Sequence, residues 1–347
     1  MNPRTMNPFA RMRRPTSAAL ALLAAWTIRG ALLALGCVGL CAMAQTAGGP
    51  SDPVARRSSP PSPGSSAAVA SPSTSIASIA STRAAAVPTA VPAKRADSAA
   101  AYRTETGLAY RPDSEPDAYA RERCRLDVYH PVGTPGFATV VWFHGGGLTG
   151  GSRSIPSALK GQGIAVIAAD YRLSPKAKAP AYIEDAAAAV AWTIKSIPRY
   201  GGDTNRIFLS GHSAGGYLAS LVTLDRRWLA VHGVDPDRLA GLVPFSGQSI
   251  THFAIREERG LERTRPLIDD LAPVFHVRKD APPILLISGD RNRELLGRYE
   301  ESAYFWRMLH EVGHPSVELL ELQGYDHGQM AEPAFPLLLR FIRQRGK

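Results

Sequence analysis

One serine in the sequence stands in a setting that could make it a nucleophile. Residues 211–215 read Gly-His-Ser-Ala-Gly, between a predicted strand at 207–210 and a predicted helix at 214–224. A tight strand–turn–helix connection forces its serine into a strained, exposed position, and the positive end of the helix favours negative charge developing there. The motif therefore predicts that Ser213 attacks a carbonyl carbon in an acyl-transfer reaction. The alternative is an ordinary serine in a glycine-rich loop.

A second glycine-rich segment could stabilise the oxyanion that such an attack produces. His-Gly-Gly-Gly at residues 144–147 directly follows a predicted strand at 139–143. Backbone N–H groups aimed at the oxyanion of a tetrahedral intermediate contribute about 3–4 kcal/mol each, and glycine lets the main chain approach closely. We expect the oxyanion hole to consist of the amides of Gly145, Gly146 and Ala214. The alternative is a plain loop.

The nucleophile needs a general base, and the sequence offers nine histidines. His327 lies directly after a predicted strand at 317–322, and therefore at the same end of the sheet as Ser213. It also gives the chain order serine, acid, histidine. We predict that His327 is the base and not a surface histidine. The other eight histidines are less suitable as the base, because they flank the motifs, lie in a long insert, end a surface helix or precede no suitable turn. They are His130, His144, His212, His232, His252, His276, His310 and His314.

The carboxylate that orients this base is expected at the end of the preceding strand. A predicted strand at 284–288 leads into Asp290, and we predict that Asp290 is the orienting acid. Asp326 is a competitor, but a residue next to the base in sequence rarely turns its carboxylate onto the ring of that base. Glu294, one helical turn after Asp290, is a second alternative.

The elements that must position these residues follow an alternating pattern. Short β-branched runs alternate with helical stretches through residues 99–347, which is typical of a mostly parallel sheet with helices on both faces. One or two edge strands are expected at 108–110 and 125–129. The remaining strands are predicted at 139–143, 164–169, 207–210, 241–245, 284–288 and 317–322, and the helices at 181–197, 214–224, 298–312 and 333–344.

Residues 246–281 form an insert that is too long for a plain connecting loop. Phe253 and Ile255 stand beside four charged residues at 256–259, which favours a short amphipathic helix capping the site. The alternative is a solvated surface helix. The insert has no large apolar lid of the kind that a triglyceride lipase needs. We therefore expect a modest acyl pocket, lined by the insert and by Leu148.

The first 98 residues differ in composition from the rest of the chain. Arginines precede an apolar stretch at 18–44 that ends in a small-x-small cleavage site, so residues 1–44 are predicted to be a signal peptide and the protein to be secreted or periplasmic. The alternative is a membrane anchor formed by residues 18–41. Residues 45–98 contain no aromatic residue and are rich in Ala, Ser, Pro and Thr, which predicts a disordered linker. The catalytic domain is then 99–347.

Charge and cysteine content exclude several classes of function. The net charge is +10, but residues 1–98 carry ten Lys or Arg against two Asp or Glu, whereas residues 99–347 carry thirty against twenty-eight. The basic excess therefore belongs to the leader and linker, and it gives no support for a nucleic-acid partner. Cys124 is alone in the catalytic domain, and no metal or nucleotide motif is present. We expect a small-molecule ester substrate and no metal or cofactor; the oligomeric state is left open.

With these residues assembled, the chain resembles the α/β-hydrolase superfamily over almost all of residues 100–347, and within it the esterases and lipases with an HGGG oxyanion motif. Asp-Tyr-Arg-Leu-Ser-Pro at 170–175 and Ile-Glu-Asp-Ala at 183–186 are similar to a scaffold segment of hormone-sensitive-lipase-like and feruloyl-esterase-like carboxylesterases. His212 stands where the former usually have Asp, so the chain is more similar to feruloyl-esterase-like and arylformamidase-like relatives. The HGGG segment departs from the oxyanion sequence of strict arylformamidases.

The resemblance implies an α/β-hydrolase fold and a definite chemistry. The implied activity is that of a serine carboxylesterase, which cleaves short-chain or aryl acyl esters through an acyl-enzyme on Ser213. Amide hydrolysis of the arylformamidase or peptidase type, with the same three residues, is the alternative. A binding domain on this fold without catalytic activity would usually lack the serine or the histidine, and here both are present.

Overall fold

The computed structural model describes residues 101–295 and 297–345. The predicted signal peptide and linker lie outside the described residues, and the predicted catalytic domain lies almost entirely within them. In this part of the chain no helix combines the length and the apolar character that crossing a membrane requires.

A single sheet of eight strands forms the centre of the described part of the chain. The strands are β1 Tyr102–Ala109, β2 Arg125–Pro131, β3 Phe137–Phe143, β4 Ala165–Ala169, β5 Gly202–His212, β6 Gly241–Phe245, β7 Ile284–Gly289 and β8 Val317–Leu322. Their order across the sheet is β1-β2-β4-β3-β5-β6-β7-β8. The β1–β2 and β2–β4 pairs are antiparallel, and the other five are parallel.

The strands at the centre of the sheet are buried on both faces. Every residue of β3 and β4 is buried, as expected of parallel strands covered by helices on both sides. Successive side chains of β3 point to opposite faces, so Val141 and Phe143 pack in one core, and Val140 and Trp142 pack in the other. The edge strand β1 is largely exposed or half-buried.

Helices cover both faces of this sheet. In the described residues they are α1 Ala118–Arg123, α2 Ala181–Ser196, α3 Ala214–Leu224, α4 Arg226–Ala230, α5 Phe253–Glu258, α6 Arg298–Glu311 and α7 Ala331–Gln344. Residues of α2, α3 and α6 pack in one core, and residues of α7 pack in the other. The predicted mostly parallel sheet with helices on both faces is confirmed.

The bounds of most elements agree with the sequence prediction, but β5 is longer than expected. It begins at Gly202, whereas the sequence predicts a strand only from residue 207. Its polar first half has no β-branched apolar run to signal a strand, and its pairing with β3 shifts register between Phe137 and Thr139. The turn between β5 and α3, which carries Ser213, lies where it was predicted, because α3 begins at Ala214.

The segment at 170–186 is a scaffold, as the resemblance implies. Asp185 is fully buried at the start of α2 and accepts hydrogen bonds from Nε and Nη2 of Arg172, at 2.7 and 2.8 Å, and from Nη2 of Arg111 at 2.5 Å. A buried carboxylate is tolerated when it is paired and hydrogen-bonded in this way. These contacts tie the loop after β4 to helix α2.

Candidate active site

Parallel strands bring the predicted site residues to one edge of the sheet. The strands β3, β5, β7 and β8 run in the same direction, so the segments that follow their carboxyl ends lie side by side. Ligand and catalytic sites of open α/β sheets lie at this edge. The segments carry the glycine run, Ser213, Glu294 and His327.

Ser213 occupies a strained turn between β5 and α3. Its φ of 56° lies in the left-handed region that residues with a Cβ rarely adopt, and its ψ is −116°. Its amide donates to the carbonyl of Phe245 at 2.8 Å. The predicted strained turn is therefore present, although Ser213 is only 6% exposed and not the exposed residue that the motif suggested.

The two glycines that frame Ser213 are required by close backbone contacts. A Cβ at Gly215 would lie 2.0 Å from the carbonyl oxygen of Phe143, and a Cβ at Gly211 would lie 2.6 Å from the same oxygen. Such distances are far below any van der Waals contact. Only glycine at both positions lets the turn pack against the end of β3.

The glycine run passes directly beside the nucleophile. A Cβ at Gly145 would lie 3.5 Å from Cβ of Ser213, so the main chain at Gly145 passes close to the serine. Gly146 has a φ of 112°, and a Cβ there would lie 2.3 Å from the carbonyl oxygen of Gly150. Ala214 is the first residue of α3, and the N–H groups of a first helical turn have no acceptor within the helix. The three predicted oxyanion donors thus belong to two segments that flank Ser213.

His144 holds the glycine run in place. Its Nδ1 bonds to the carbonyl oxygen of Gly145 at 2.7 Å, and its ring stacks on Tyr171 with centroids 4.3 Å apart. The hydroxyl of Tyr171 donates to the carbonyl of His144 at 2.8 Å. His144 is therefore a packed neighbour of the site, as its place in the motif suggested.

The imidazole of His327 is bonded to a carboxylate, but that carboxylate is not Asp290. Nδ1 of His327 and Oε2 of Glu294 are 2.7 Å apart. The prediction that Asp290 orients His327 is wrong. Oδ1 and Oδ2 of Asp290 instead accept from the amides of Asn292 and Gly324, at 2.9 and 2.8 Å.

A helical turn explains why Glu294 takes the place expected for Asp290. The amide of Glu294 donates to the carbonyl of Asp290 at 2.8 Å, and this turn carries Glu294 back toward the end of β7. Asp290 then serves the backbone of the neighbouring loop. Asp326 binds the backbone of its own loop after β8, because its Oδ1 accepts from the amides of Gly328 and Gln329, at 3.0 and 2.8 Å. Of the three carboxylates considered from the sequence, the structure brings Glu294 to the histidine.

The carboxylate of Glu294 is fully enclosed. Its side chain is 1% exposed, and its Oε1 accepts from the hydroxyl of Ser246 and from the amide of Gly289, the latter at 2.9 Å. Burial alone would raise the pKa of Glu294, but the hydrogen bonds from His327, Ser246 and Gly289 outweigh it and lower the pKa to about 2. Glu294 is therefore a carboxylate over the whole neutral range.

Ser246 is a site residue that sequence reasoning missed. It directly follows β6, is fully buried and has a φ of 46°, in the same disfavoured region as Ser213. Its amide donates to the carbonyl of Ile287 at 2.7 Å, and its hydroxyl donates to Glu294. The one signal in the sequence is its place at the carboxyl end of a predicted strand.

His212 supports the backbone of the proposed base. Its Nε2 bonds to the carbonyl oxygen of His327 at 2.7 Å, and the two rings lie 4.7 Å apart. Burial and the neighbouring His327 lower the pKa of His212 to about 4, so the ring is neutral at pH 7 and donates from Nε2. This contact fixes the loop that carries His327 against the serine turn.

The insert packs against the body of the domain. Helix α5 is present as predicted, and both Ile255 and Arg256 are buried, so it is not a solvated surface helix. A Cβ at Gly147 would lie 3.0 Å from Cζ of Phe253, which places this helix beside the glycine run. Leu148 is fully buried in the core and does not line an open pocket, contrary to expectation.

Other features of the described residues lie apart from this site. A surface cavity of about 420 Å³ is lined by residues that include Arg103, His130, Arg199 and Tyr200, and it shares no residue with the serine turn. Across residues 101–295 and 297–345, no cluster of three or more His, Cys, Asp or Glu side chains could hold a metal ion.

Comparison with known proteins finds relatives that are named esterases. The BD-FAE family model matches residues 126–233. The chain is 30% identical over 212 residues to esterase LipC of Mycobacterium tuberculosis, covering 54% of this chain and 52% of that protein. It is also 30% identical over 201 residues to the probable carboxylic ester hydrolase LipM of the same organism, covering 52% and 46%. The chain thus spans about half the length of the curated relatives it matches.

Solved structures agree with these matches. A truncated carbohydrate esterase from gut microbiota superposes with a TM-score of 0.59 at 18% identity, covering 72% of this chain and 98% of that one. Esterase 2 of Thermogutta terrifontis, phosphoramylated by tabun, superposes with a TM-score of 0.56 at 22% identity, covering 70% and 94%. The chain has the α/β-hydrolase fold, and the resemblance to its carboxylesterase branch is confirmed.

Proposed function

We propose that the protein is a serine carboxylesterase that hydrolyses short-chain or aryl acyl esters through an acyl-enzyme on Ser213. His327 is the general base, and Glu294 is the acid that orients it. The observation that carries the proposal is the 2.7 Å contact between His327 Nδ1 and Glu294 Oε2, at the same sheet edge as the strained turn of Ser213. The names of the relatives support ester hydrolysis as the reaction class.

The reaction follows from the roles of these groups. Oγ of Ser213 attacks the ester carbonyl while its proton passes to Nε2 of His327. The amides of Gly145, Gly146 and Ala214 stabilise the resulting oxyanion. The tetrahedral intermediate then collapses, the carbon–oxygen bond to the alcohol breaks, and His327 protonates the departing alkoxide.

Deacylation repeats these steps with water as the nucleophile. His327 takes a proton from water, the hydroxide attacks the acyl carbon, and Ser213 leaves with the proton returned from His327. In both halves the imidazole becomes positively charged in passing. The ionised Glu294, with its pKa of about 2, stabilises that charge and holds Nδ1 in the protonated tautomer.

Labelling with a fluorophosphonate probe tests the nucleophile. The wild-type protein and a Ser157→Ala control, changed at an exposed serine, should be labelled, whereas Ser213→Ala should not. Equal labelling of Ser213→Ala would contradict the assignment. Turnover of p-nitrophenyl acetate beside N-formylkynurenine and a dipeptide anilide separates ester from amide hydrolysis, and we expect the ester to be the best substrate.

The acyl preference is part of the proposal and has its own test. Each buried methylene contributes about 0.8 kcal/mol, so kcat/KM should rise over the first carbons of the acyl chain and fall once the pocket is full. Helix α5 is packed against the body of the domain, which supports a small pocket. In a p-nitrophenyl ester series from acetate to palmitate, the maximum should lie between acetyl and butyryl. A maximum at lauroyl or longer, with activation at an oil–water interface, would contradict it.

We also propose export from the cytoplasm through residues 1–44. The proposal follows from the arginines, the apolar stretch and the small-x-small site at 42–44. N-terminal sequencing of the exported protein should find a mature chain that begins at Gln45. A membrane-bound chain that retains residues 18–41 would favour the anchor instead.

A further inference from the structure

Two buried arginines, Arg298 and Arg256, and one exposed arginine, Arg263, lie beside the proposed active site. Arg298, at the start of α6, is 2% exposed, and Arg256, on α5, is 3% exposed. The guanidinium of Arg263 lies 4.4 Å from the ring centroid of Phe253. Burying a guanidinium is costly unless it is paired with an anion and fully hydrogen-bonded.

The pairing of Arg298 is incomplete. Among the described residues, the one carboxylate within 4 Å of its guanidinium is Glu301, whose Oε1 lies 3.8 Å from Nη1, beyond hydrogen-bonding distance. Glu301 already accepts from Nε2 of Gln248 and from the amide of Ser249, each at 3.1 Å. Burial raises the pKa of Glu301, against the lowering effects of Arg298, Gln248 and Ser249.

Three buried donors of neighbouring residues have no acceptor among the described residues. Within the described part of the chain, neither Nε of Arg298 nor Nε of Arg256 has a hydrogen-bond partner, and Nε2 of His252 has none either. Nδ1 of His252 accepts from the amide of Ala254, so its Nε2 carries the proton. Burial, and then the charges of Arg298, Arg256 and Arg263, lower the pKa of His252. Buried donors of this kind require an acceptor.

This cluster borders the catalytic groups. Phe253, under Arg263, touches Gly147 of the glycine run, since a Cβ at Gly147 would lie 3.0 Å from its Cζ. Gln248 lies two residues after Ser246, whose hydroxyl donates to Glu294. Arg298 lies four residues after Glu294, and the two charges influence one another. A group bound to the cluster would therefore belong to a substrate whose ester is at Ser213.

We propose that Arg298, with Arg256 and Arg263, forms a subsite for a carboxylate, so that the preferred substrates are esters that carry a free carboxylate group. The inference rests on the proposed esterase function. A guanidinium presents parallel N–H donors that match the two oxygens of a carboxylate, and a bound carboxylate supplies acceptors for the unpaired donors of the cluster.

Two matched substrate pairs test the subsite in the wild-type protein. Monoethyl glutarate and ethyl valerate differ by a carboxylate on the acyl side, and 4-acetoxybenzoate and 4-acetoxybenzamide differ by one on the alcohol side. A hydrogen-bonded charge of this kind should raise kcat/KM about tenfold to a hundredfold for the charged member of one pair. The pair in which kcat/KM rises shows whether the subsite binds a carboxylate on the acyl side or on the alcohol side of the ester.

Failure of the subsite and failure of the esterase proposal give different results. If the neutral member is hydrolysed as well as or better than the charged member in both pairs, the subsite proposal is overturned while the esterase proposal stands. If none of these esters, nor p-nitrophenyl acetate, is hydrolysed, the esterase proposal fails and the subsite with it.

Variants on helix α6 assign the preference to Arg298. Arg298→Met should lower the charged-over-neutral ratio of kcat/KM about tenfold or more, and Arg298→Lys should restore part of it. Arg307→Met is the matched control on the same helix, because Arg307 is 64% exposed and pairs with Glu311. An unchanged ratio in Arg298→Met would overturn the proposal.

A measurement on the unaltered protein covers the case in which Arg298→Met does not fold. Glutarate should inhibit the wild-type protein competitively, with an inhibition constant about tenfold or more below that of the neutral glutaramide. Equal or weaker inhibition by glutarate would overturn the proposal without recourse to any variant.

Discussion

Two carboxylates in one loop have different surroundings, and this difference sets their roles. Asp290 accepts from the amide of Asn292 in its own loop and from the amide of Gly324, and the latter bond holds the loop after β7 against the loop after β8. Glu294 is enclosed by His327, Ser246 and Gly289. A carboxylate that orients a base must point at its ring, and here only the longer side chain, returned by a helical turn, does so.

Ser246 should act as a positioning residue for Glu294. A hydrogen bond to a charged group is worth about 1.5–3 kcal/mol, so Ser246→Ala should lower kcat about tenfold while KM changes little. Steady-state kinetics with p-nitrophenyl acetate provide the measurement. Ser288→Ala is the control, because Ser288 is equally buried and its hydroxyl has no partner among the described residues. Equal losses in the two variants would assign Ser246 a packing role.

The same variant should change how stability depends on pH. The pKa of Glu294 is lowered from 4.5 to about 2 in the folded protein, so its contribution is fully present above about pH 4.5 and is lost as the pH falls toward 2. Ser246→Ala removes one of the donors that lower this pKa, so the folded-state pKa should rise. Urea unfolding between pH 2.5 and 7 should then show a shallower decline of the free energy of unfolding than in Ser288→Ala. Identical slopes would contradict this account.

At the scale of elements, the strand–turn–helix at Ser213 depends on backbone contact with β3. Gly215→Ala should destabilise the fold by about 3 kcal/mol or more, because its Cβ would lie 2.0 Å from the carbonyl oxygen of Phe143. Gly150→Ala is the matched control, since the nearest atom would lie 3.9 Å from its Cβ. Urea unfolding midpoints provide the measurement. A Gly215→Ala protein as stable as the control would contradict the described turn.

Periodicity and turn chemistry make most elements predictable from the sequence, but not the direction of side chains in loops. The bounds of α3 and β6 agree with the prediction, because both are predominantly apolar segments and each ends at a polar residue, Asp225 after α3 and Ser246 after β6. Asp290 was expected to face His327 because it ends the strand. Whether Asp290 or Glu294 does so depends on a hydrogen-bonded turn at 290–294 that leaves no periodic pattern.

The residues around the proposed catalytic groups could not be predicted from the sequence either, for a related reason. Ser246 and Arg298 are ordinary polar residues in the sequence, and their importance comes from burial. Burial arises when strands and helices distant in the chain pack together, so the contacts of Ser246 with Glu294 and of Gln248 with Glu301 have no local signature.

At the scale of the whole molecule, the first 98 residues are predicted to contribute nothing to catalysis. A protein that begins at Ala99 should be soluble, unfold cooperatively and have the kcat/KM of the full-length chain, because residues 1–44 are predicted to be a signal peptide and residues 45–98 have no aromatic residue with which to build a core. Parallel kinetics and thermal unfolding of the two proteins provide the measurement. A loss of activity on truncation would mean that the linker takes part in the site.

The exchange of carboxylates at the proposed base tests the account most directly. Glu294→Gln and Asp290→Asn each replace a carboxylate with a nearly isosteric amide, and kcat for p-nitrophenyl acetate is measured for both, with circular dichroism to check folding. We predict that Glu294→Gln lowers kcat on the order of 10⁴-fold, because His327 loses its tautomer and orientation, whereas Asp290→Asn stays within about tenfold of wild type. An inactive Asp290→Asn beside an active Glu294→Gln would contradict the account.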